Sequence, residues 1–176
     1  MPAWGVVRTE KRLAQTATVD FAAVGRVSKF AELEDIRLVE VTAKCNPSAS
    51  GPLEATFAHD SRISNRGDQF LEVRTDYRFT GRSAEADIIE VAVTYLIRYV
   101  LKAPEPLADD DISEFAISNP VLHSWPFVRE FLNSLTSRMG FPPFKLGVLH
   151  FVPQKAAEKK PASQGLQDPE AESAQT

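Results

Sequence analysis

Cysteine is almost missing from this chain: Cys45 is the single one in 176 residues. One thiol cannot close an internal disulfide, so nothing asks for an oxidising compartment. Histidine is scarce as well. His59, His123 and His150 stand far apart, and with one cysteine they offer no clustered ligand set for zinc. The opening Met-Pro-Ala-Trp-Gly leads to Arg8, Glu10, Lys11 and Arg12 rather than to the apolar core of a secretory signal. The most apolar stretch, Val91 to Leu101, is interrupted by Thr94 and Arg98. It also falls short of the roughly 20 residues a membrane-spanning helix needs. The expected location is therefore the cytoplasm. No G-x-S-x-G elbow, phosphate-cradling P-loop or dinucleotide G-x-G-x-x-G occurs. An excess of basic residues is absent too: 20 Lys and Arg stand against 24 Asp and Glu, which gives no footprint for a nucleic-acid partner.

What remains is ordinary globular composition, 43% apolar and 25% charged. The length fits one domain with tails. Residues 1–20 have no sustained apolar period and read as a flexible arm. Phe21, Val24, Val27, Phe30 and Leu33 recur at three-residue spacing, which predicts a helix over 21–33. A strand follows from Ile36 to Cys45. Its apolar parity changes between Leu38 and Val39, as a β-bulge would produce. A second strand is expected over 53–63. Asn65-Arg66-Gly67-Asp68 reads as a turn with Gly67 at positive φ. Leu71, Val73, Thr75, Tyr77 and Phe79 alternate with charged residues in the third strand. The fourth, about 87–101, is apolar on both faces. Pro104 and Pro106 end the sheet. A short helix is expected after Asp109, with Asp111 and Glu114 at capping-box spacing. A longer one covers 125–139, capped by Ser124 with Pro126 in its first turn. Gly140 stops it, and Pro142-Pro143 forbid continuation. Phe144 to Phe151 reads as an extended coda. Residues 153–176 lack aromatics and read as a disordered tail. The class is α+β: a four-stranded antiparallel meander with the C-terminal helices on one face.

That arrangement leaves the other face of the fourth strand bare. Ile88, Leu96 and Val100 point there, and burying each is worth about 1.5–3 kcal/mol. A second copy of the chain is the simplest cover. The polar candidates for chemistry have plainer readings. His59-Asp60 sit on opposite faces of a strand. Asp109-Asp110-Asp111 complement a helix N-terminus rather than a calcium loop. Arg66-Gly67-Asp68 is a turn, and Cys45 is a small strand residue. The apolar stripe of the last helix is core. Phe141, Phe144 and Phe151 lie beyond it in a proline-rich stretch, where exposed aromatics would mark a binding surface.

The run Asn119-Pro120-Val121-Leu122-His123-Ser124-Trp125-Pro126-Phe127-Val128-Arg129-Glu130, continued by Ser137-Arg138-Met139-Gly140-Phe141-Pro142-Pro143, resembles the SecB-type protein-export chaperones. The resemblance spans roughly 36–152 and is densest at 119–147. It implies a homotetramer, a dimer of dimers, that holds unfolded polypeptides along apolar grooves without nucleotide, cofactor, metal or catalysis. It assigns residues 21–152 to one chaperone domain. It makes Phe141, Phe144, Trp125 and Tyr99 the expected client contacts. Ile88, Leu96, Val100, Phe131 and Leu135 are the expected interface between copies. Arg129, Glu130, Arg138, Gly140 and Pro142 match the signature as structural residues. On the same resemblance, Glu90 is the expected counterpart of part of the acidic patch that in the export chaperones meets the SecA translocase motor. The helix before the first strand is unlike the export chaperone. It resembles the SecB-like chaperones of toxin–antitoxin systems, whose client is an antitoxin. Two other readings compete: a small-molecule module with Tyr77, Tyr95, Tyr99 and Trp125 around a pocket, and a purely structural assembly subunit.

Overall fold

The computed structural model describes residues 19–46, 54–82, 87–147 and 149. The expected arm, the loop after Asn46, most of the turn after Arg82, Phe151 and the tail lie outside them. The order is α1 (Phe21–Ser28), β1 (Ala31–Cys45), β2 (Glu54–Gly67), β3 (Phe70–Arg82), β4 (Asp87–Leu101) and α2 (Asp109–Arg138). The fold is α+β, as the sequence predicts.

The helix expected over 21–33 is shorter. Asp20 caps α1 through bonds accepted from the Ala22 and Ala23 amides, and the chain turns into β1 at Ala31. Residues 31–33 follow strand pairing rather than the three-residue period, because Ala31, Glu32 and Leu33 pair with Leu101, Val100 and Tyr99. The bulge expected after Leu38 is present: Leu38 faces Tyr95 and Glu40 faces Thr94, so Val39 is the extra residue. A second bulge falls at Glu34.

The meander needs one correction. The sheet order is β1-β4-β3-β2. β2, β3 and β4 are consecutive antiparallel neighbours, but β1 crosses over to pair with β4, giving a Greek-key order. The β2–β3 hairpin also differs from expectation at Gly67. Gly140 is the one glycine at positive φ among the described residues. At Gly67 the constraint is space instead: a Cβ there would stand 2.5 Å from Cε1 of the Phe70 ring, so a larger residue makes that ring move.

The two expected C-terminal helices are one. α2 runs 30 residues with Pro120 and Pro126 inside it. Each proline removes a ladder hydrogen bond and costs about 3 kcal/mol in a helix interior. Packing overrides that cost, because Pro120, Val121, Ser124 and Val128 are all buried. Ser124 is therefore not a cap. Its hydroxyl donates to the Pro120 carbonyl at 2.6 Å and shares a 2.6 Å bond with the Tyr77 hydroxyl. The capping box at Asp111 and Glu114 does not form either. The N-cap is Ala108, without a side-chain bond. Asp111 instead takes two hydrogen bonds from Arg26 of α1 at 2.6 and 2.7 Å, and Glu114 accepts from the Asp20 amide. Asp109 pairs with Arg66 at 2.6 Å. These acids pin the start of α2 to α1 and to the end of β2.

The helix stops as the sequence predicts. Gly140 takes φ +84°. Its amide donates to the Ser137 carbonyl and the Phe141 amide to the Thr136 carbonyl, the paired bonds of a Schellman motif with Phe141 as its apolar anchor. Nothing lies within 4 Å of a Cβ placed on Gly140, so its substitution costs conformation alone. Gly140→Ala should lower the unfolding free energy by about 1–2 kcal/mol. Urea unfolding measures this, and an unchanged midpoint would mean that the left-handed turn is not held.

The inner face of the sheet is the core: Leu71, Val73, Tyr77 and Phe79 of β3 and Ile89, Val91, Val93, Tyr95, Ile97 and Tyr99 of β4 are buried. α2 lies over β2, β3 and β4, while α1 reaches β1. β1 is left open. Leu33, Leu38 and Val41 pair with inward-facing Tyr99, Tyr95 and Val93, yet they remain 45%, 44% and 43% exposed.

The outer face is a lattice of charge rather than a bare apolar sheet. Arg74 bonds Glu40 of β1 at 2.6 Å, and Arg62 of β2 bonds Asp76 at 2.6 Å. Arg98 bridges Glu34 and Glu72 at 2.7 and 3.0 Å and lies 4.8 Å over the Phe70 ring. Burial pushes the Asp76 carboxyl up, but bonds from Thr94, Arg74 and Arg62 outweigh it and hold it below its ordinary value. Exposed pairs of this kind each contribute about 0–1 kcal/mol. The expected bare face is thus corrected. Ile88 sits where the β3–β4 register shifts and is buried within the protomer. Leu96 and Val100 are half-buried, Leu96 between Arg37 and Arg74 and Val100 between Glu32 and Phe70. The inner side of β1 is uncovered and apolar instead.

Candidate functional site

A run of five aromatic rings links one flank of α2 to the other across the sheet beneath it. Trp125, half-buried on one flank, meets Phe57 of β2 edge-on at 5.4 Å. Phe57 lies 5.8 Å from Tyr77, Tyr77 stands T-shaped at 6.2 Å to Tyr95, and Tyr95 lies 6.5 Å from Phe127 on the other flank. Strand alternation puts Phe57, Tyr77 and Tyr95 on the inner face, in cross-strand register with Phe79, His59 and Leu38. Helical spacing puts Trp125 and Phe127 on opposite sides of α2. The tyrosine hydroxyls are poorly placed to ionise. Burial pushes Tyr77 up, against the Ser124 bond, and burial with Glu130 nearby pushes Tyr95 up to about 12.

The flank at Trp125 forms a cleft between α2 and the β2–β3 hairpin. Phe57, Phe79 and Trp125 are its aromatic walls. The chain beyond Gly140 passes through it without regular structure. The Phe144 ring lies 4.4 Å from that of Phe79, and the indole N–H of Trp125 donates to the Gly147 carbonyl at 3.1 Å. A solvent-open groove of about 390 Å³ runs beside the segment, lined by Pro126, Arg129, Glu130 and Asn133 on the helix and by Phe144, Lys145 and Leu146. The cleft is apolar and aromatic, with a polar rim. It can hold an extended chain by its side chains. Nothing in it resembles a nucleophile with a base.

Of the expected client contacts, Trp125 and Phe144 meet at this cleft. The exposure expected of Phe141 and Phe144 is not found. Phe141 is 8% exposed as the anchor of the helix stop, and Phe144 is half-buried on Phe79. Tyr99 is fully buried. Its ring is T-shaped to Phe115 at 5.0 Å, and its hydroxyl bonds Nδ1 of His123 at 2.8 Å. Burial pushes the His123 pKa down, which favours the neutral ring that can accept from this hydroxyl. Tyr77, Tyr95 and Tyr99 are core residues and do not enclose a ligand pocket as a group. Phe131 and Leu135 are half-buried and pack against the core from α2. Glu90 is exposed and stands opposite Lys44. Cys45 is exposed and free. Among the described residues no cluster of three potential metal ligands occurs, and no helix is long and apolar enough to cross a membrane. Sequence reading missed Phe57 and Phe79 as cleft walls. Phe57 carried a usable signal, an aromatic alternating with Thr56 and Ala58.

No protein-family model matches the sequence, and comparison with curated proteins finds no match. Among solved structures, the fold is shared with a SecB-like chaperone of Mycobacterium tuberculosis, Rv1957, in complex with a ChAD peptide from the HigA1 antitoxin. The TM-score is 0.63 at 17% sequence identity, covering 73% of this chain and 97% of that chain. A protein of unknown function from Streptococcus agalactiae overlaps at TM-score 0.39 and 11% identity, covering 67% of this chain and 97% of its own. A hexameric hotdog fold thioesterase of Campylobacter jejuni overlaps at 0.27 and 13%, covering 46% and 63%. Neither of these two overlaps is close enough to carry an argument. The fold of this chain is SecB-like.

Proposed function

We propose that this protein is an ATP-independent holding chaperone, which binds unfolded or aggregation-prone polypeptides in extended form beside α2 and performs no chemistry on them. The observation that carries this reading is the aromatic cleft itself: Phe79 packs on the Phe144 ring and Trp125 bonds the Gly147 carbonyl, so the flank already holds an irregular, partly apolar stretch of chain. A fold shared with a SecB-like chaperone supports it. That neighbour is in complex with an antitoxin peptide, which favours an aggregation-prone antitoxin as the client over a preprotein passed to SecA. A motor contact at Glu90 is the weaker branch, because Glu90 faces Lys44 on a sheet whose other charges are largely paired across strands.

The open strip of β1 supports self-association. Leu33, Leu38 and Val41, with the bulged Val39 at 48% exposure, form an apolar strip on an edge strand. Such an edge needs cover. A second copy of the chain supplies it, with the α2 flank at Phe127 and Phe131 available for the contact that completes a homotetramer. In the cytoplasm, such an assembly would keep its apolar surfaces for clients. The test uses the full chain without nucleotide or metal. It should suppress aggregation of a chemically unfolded client in proportion to its concentration. Light scattering behind a sizing column should give about four times 19.5 kDa. A compact monomer that leaves aggregation unchanged would contradict the proposal.

A further inference from the structure

Residues 144–147 already lie where a client would. Phe141 and Leu146 are buried and Phe144 half-buried, while Pro142, Pro143 and Lys145 face solvent. Large apolar side chains at 141, 144 and 146 thus enter the protein, and the residues between them do not. The backbone is neither helix nor strand, and the two prolines offer no amide for ladder pairing. The Phe144 amide donates to the Thr136 hydroxyl at 3.0 Å, and Trp125 holds the Gly147 carbonyl. A solvent-open groove of about 390 Å³ runs along the segment's outer side. A segment secured by a few side chains and two hydrogen bonds, without ladder pairing, opens more easily than a sheet strand does.

We infer that residues 144–147 are an intramolecular stand-in for the client, displaced from the cleft when an extended polypeptide binds. This rests on the holding function proposed above. The occupant it admits has the stand-in's chemistry: an extended segment with aromatic or large aliphatic side chains two or three residues apart. Gly140 and Phe141 stay fixed by the helix stop and act as the hinge. Tethered a few residues from the cleft, the stand-in has a high effective concentration there. Short or weakly apolar segments therefore fail to displace it, while long unfolded chains succeed. With no client present, Phe79 and Trp125 are covered.

Amide hydrogen exchange of the full chain, with and without a saturating unfolded client, tests this. The Phe144 amide, bonded to the Thr136 hydroxyl, should exchange at least tenfold faster in the complex. Phe144→Ala, which weakens the stand-in and leaves the walls intact, should tighten client binding about tenfold. Unchanged or slower exchange at the Phe144 amide with client bound would overturn the displacement and leave the holding function standing. Unchanged client affinity in Phe144→Ala would do the same. Failure to bind any unfolded client would remove the holding function and this inference with it.

Discussion

Tyr99→Ala should lower the unfolding free energy by about 3–5 kcal/mol. That is a large share of the 5–15 kcal/mol typical of a whole domain. The side chain is fully buried, stands T-shaped on Phe115 and bonds His123. Removing it leaves a cavity between β4 and α2 and takes away the hydroxyl that partners the His123 Nδ1. Tyr99→Phe keeps the ring and should cost only about 1 kcal/mol, the worth of one hydrogen bond. Urea unfolding of both variants separates packing from hydrogen bonding. A stable Tyr99→Ala variant that had lost client holding would restore Tyr99 to the binding surface, as the sequence alone suggested.

Phe57→Ser should weaken client binding roughly thirtyfold, the effect of removing a hot-spot aromatic worth about 2 kcal/mol. Phe57 is half-buried, sits on the edge strand β2, and contacts Trp125 and Tyr77. It is a wall of the cleft and lies away from the open strip of β1. The variant should therefore keep the parent's oligomeric mass while its affinity for an unfolded client falls. Equal affinity at equal mass would move the binding surface elsewhere, to the Phe127 flank or the β1 strip.

Local rules carried much of the fold. The alternation of Leu71 to Phe79 marked β3, the parity change at Val39 marked a bulge, and Gly140 before Pro142 marked the helix stop. Each depends on residues within a few positions. The failures share a different cause. Ser124 and Pro126 read as the start of a second helix because cap and first-turn rules are local, whereas the packing that carries α2 through them comes from Tyr77 on a distant strand. β1 read as the neighbour of β2 because nothing in its own sequence names β4 as its partner. Leu96 and Val100 read as bare because the arginine–carboxylate lattice beside them is assembled across all four strands, and Ile88 because the register shift at which it is buried belongs to the β3–β4 pairing. For the site, Trp125 and Phe144 were legible as candidates. That Phe144 turns inward onto Phe79 depends on where the chain goes after Gly140, which composition does not encode.

The central claim is that an extended client lies in the cleft between α2 and the β2–β3 hairpin. A photo-crosslinking amino acid in place of Trp125, with another in place of exposed Arg78 on the outer sheet face as control, tests it most directly in the full chain with an unfolded client. Adducts to the client should form from position 125 and not from position 78. Adducts from position 78 alone, or none from position 125 while client remains bound, would contradict it.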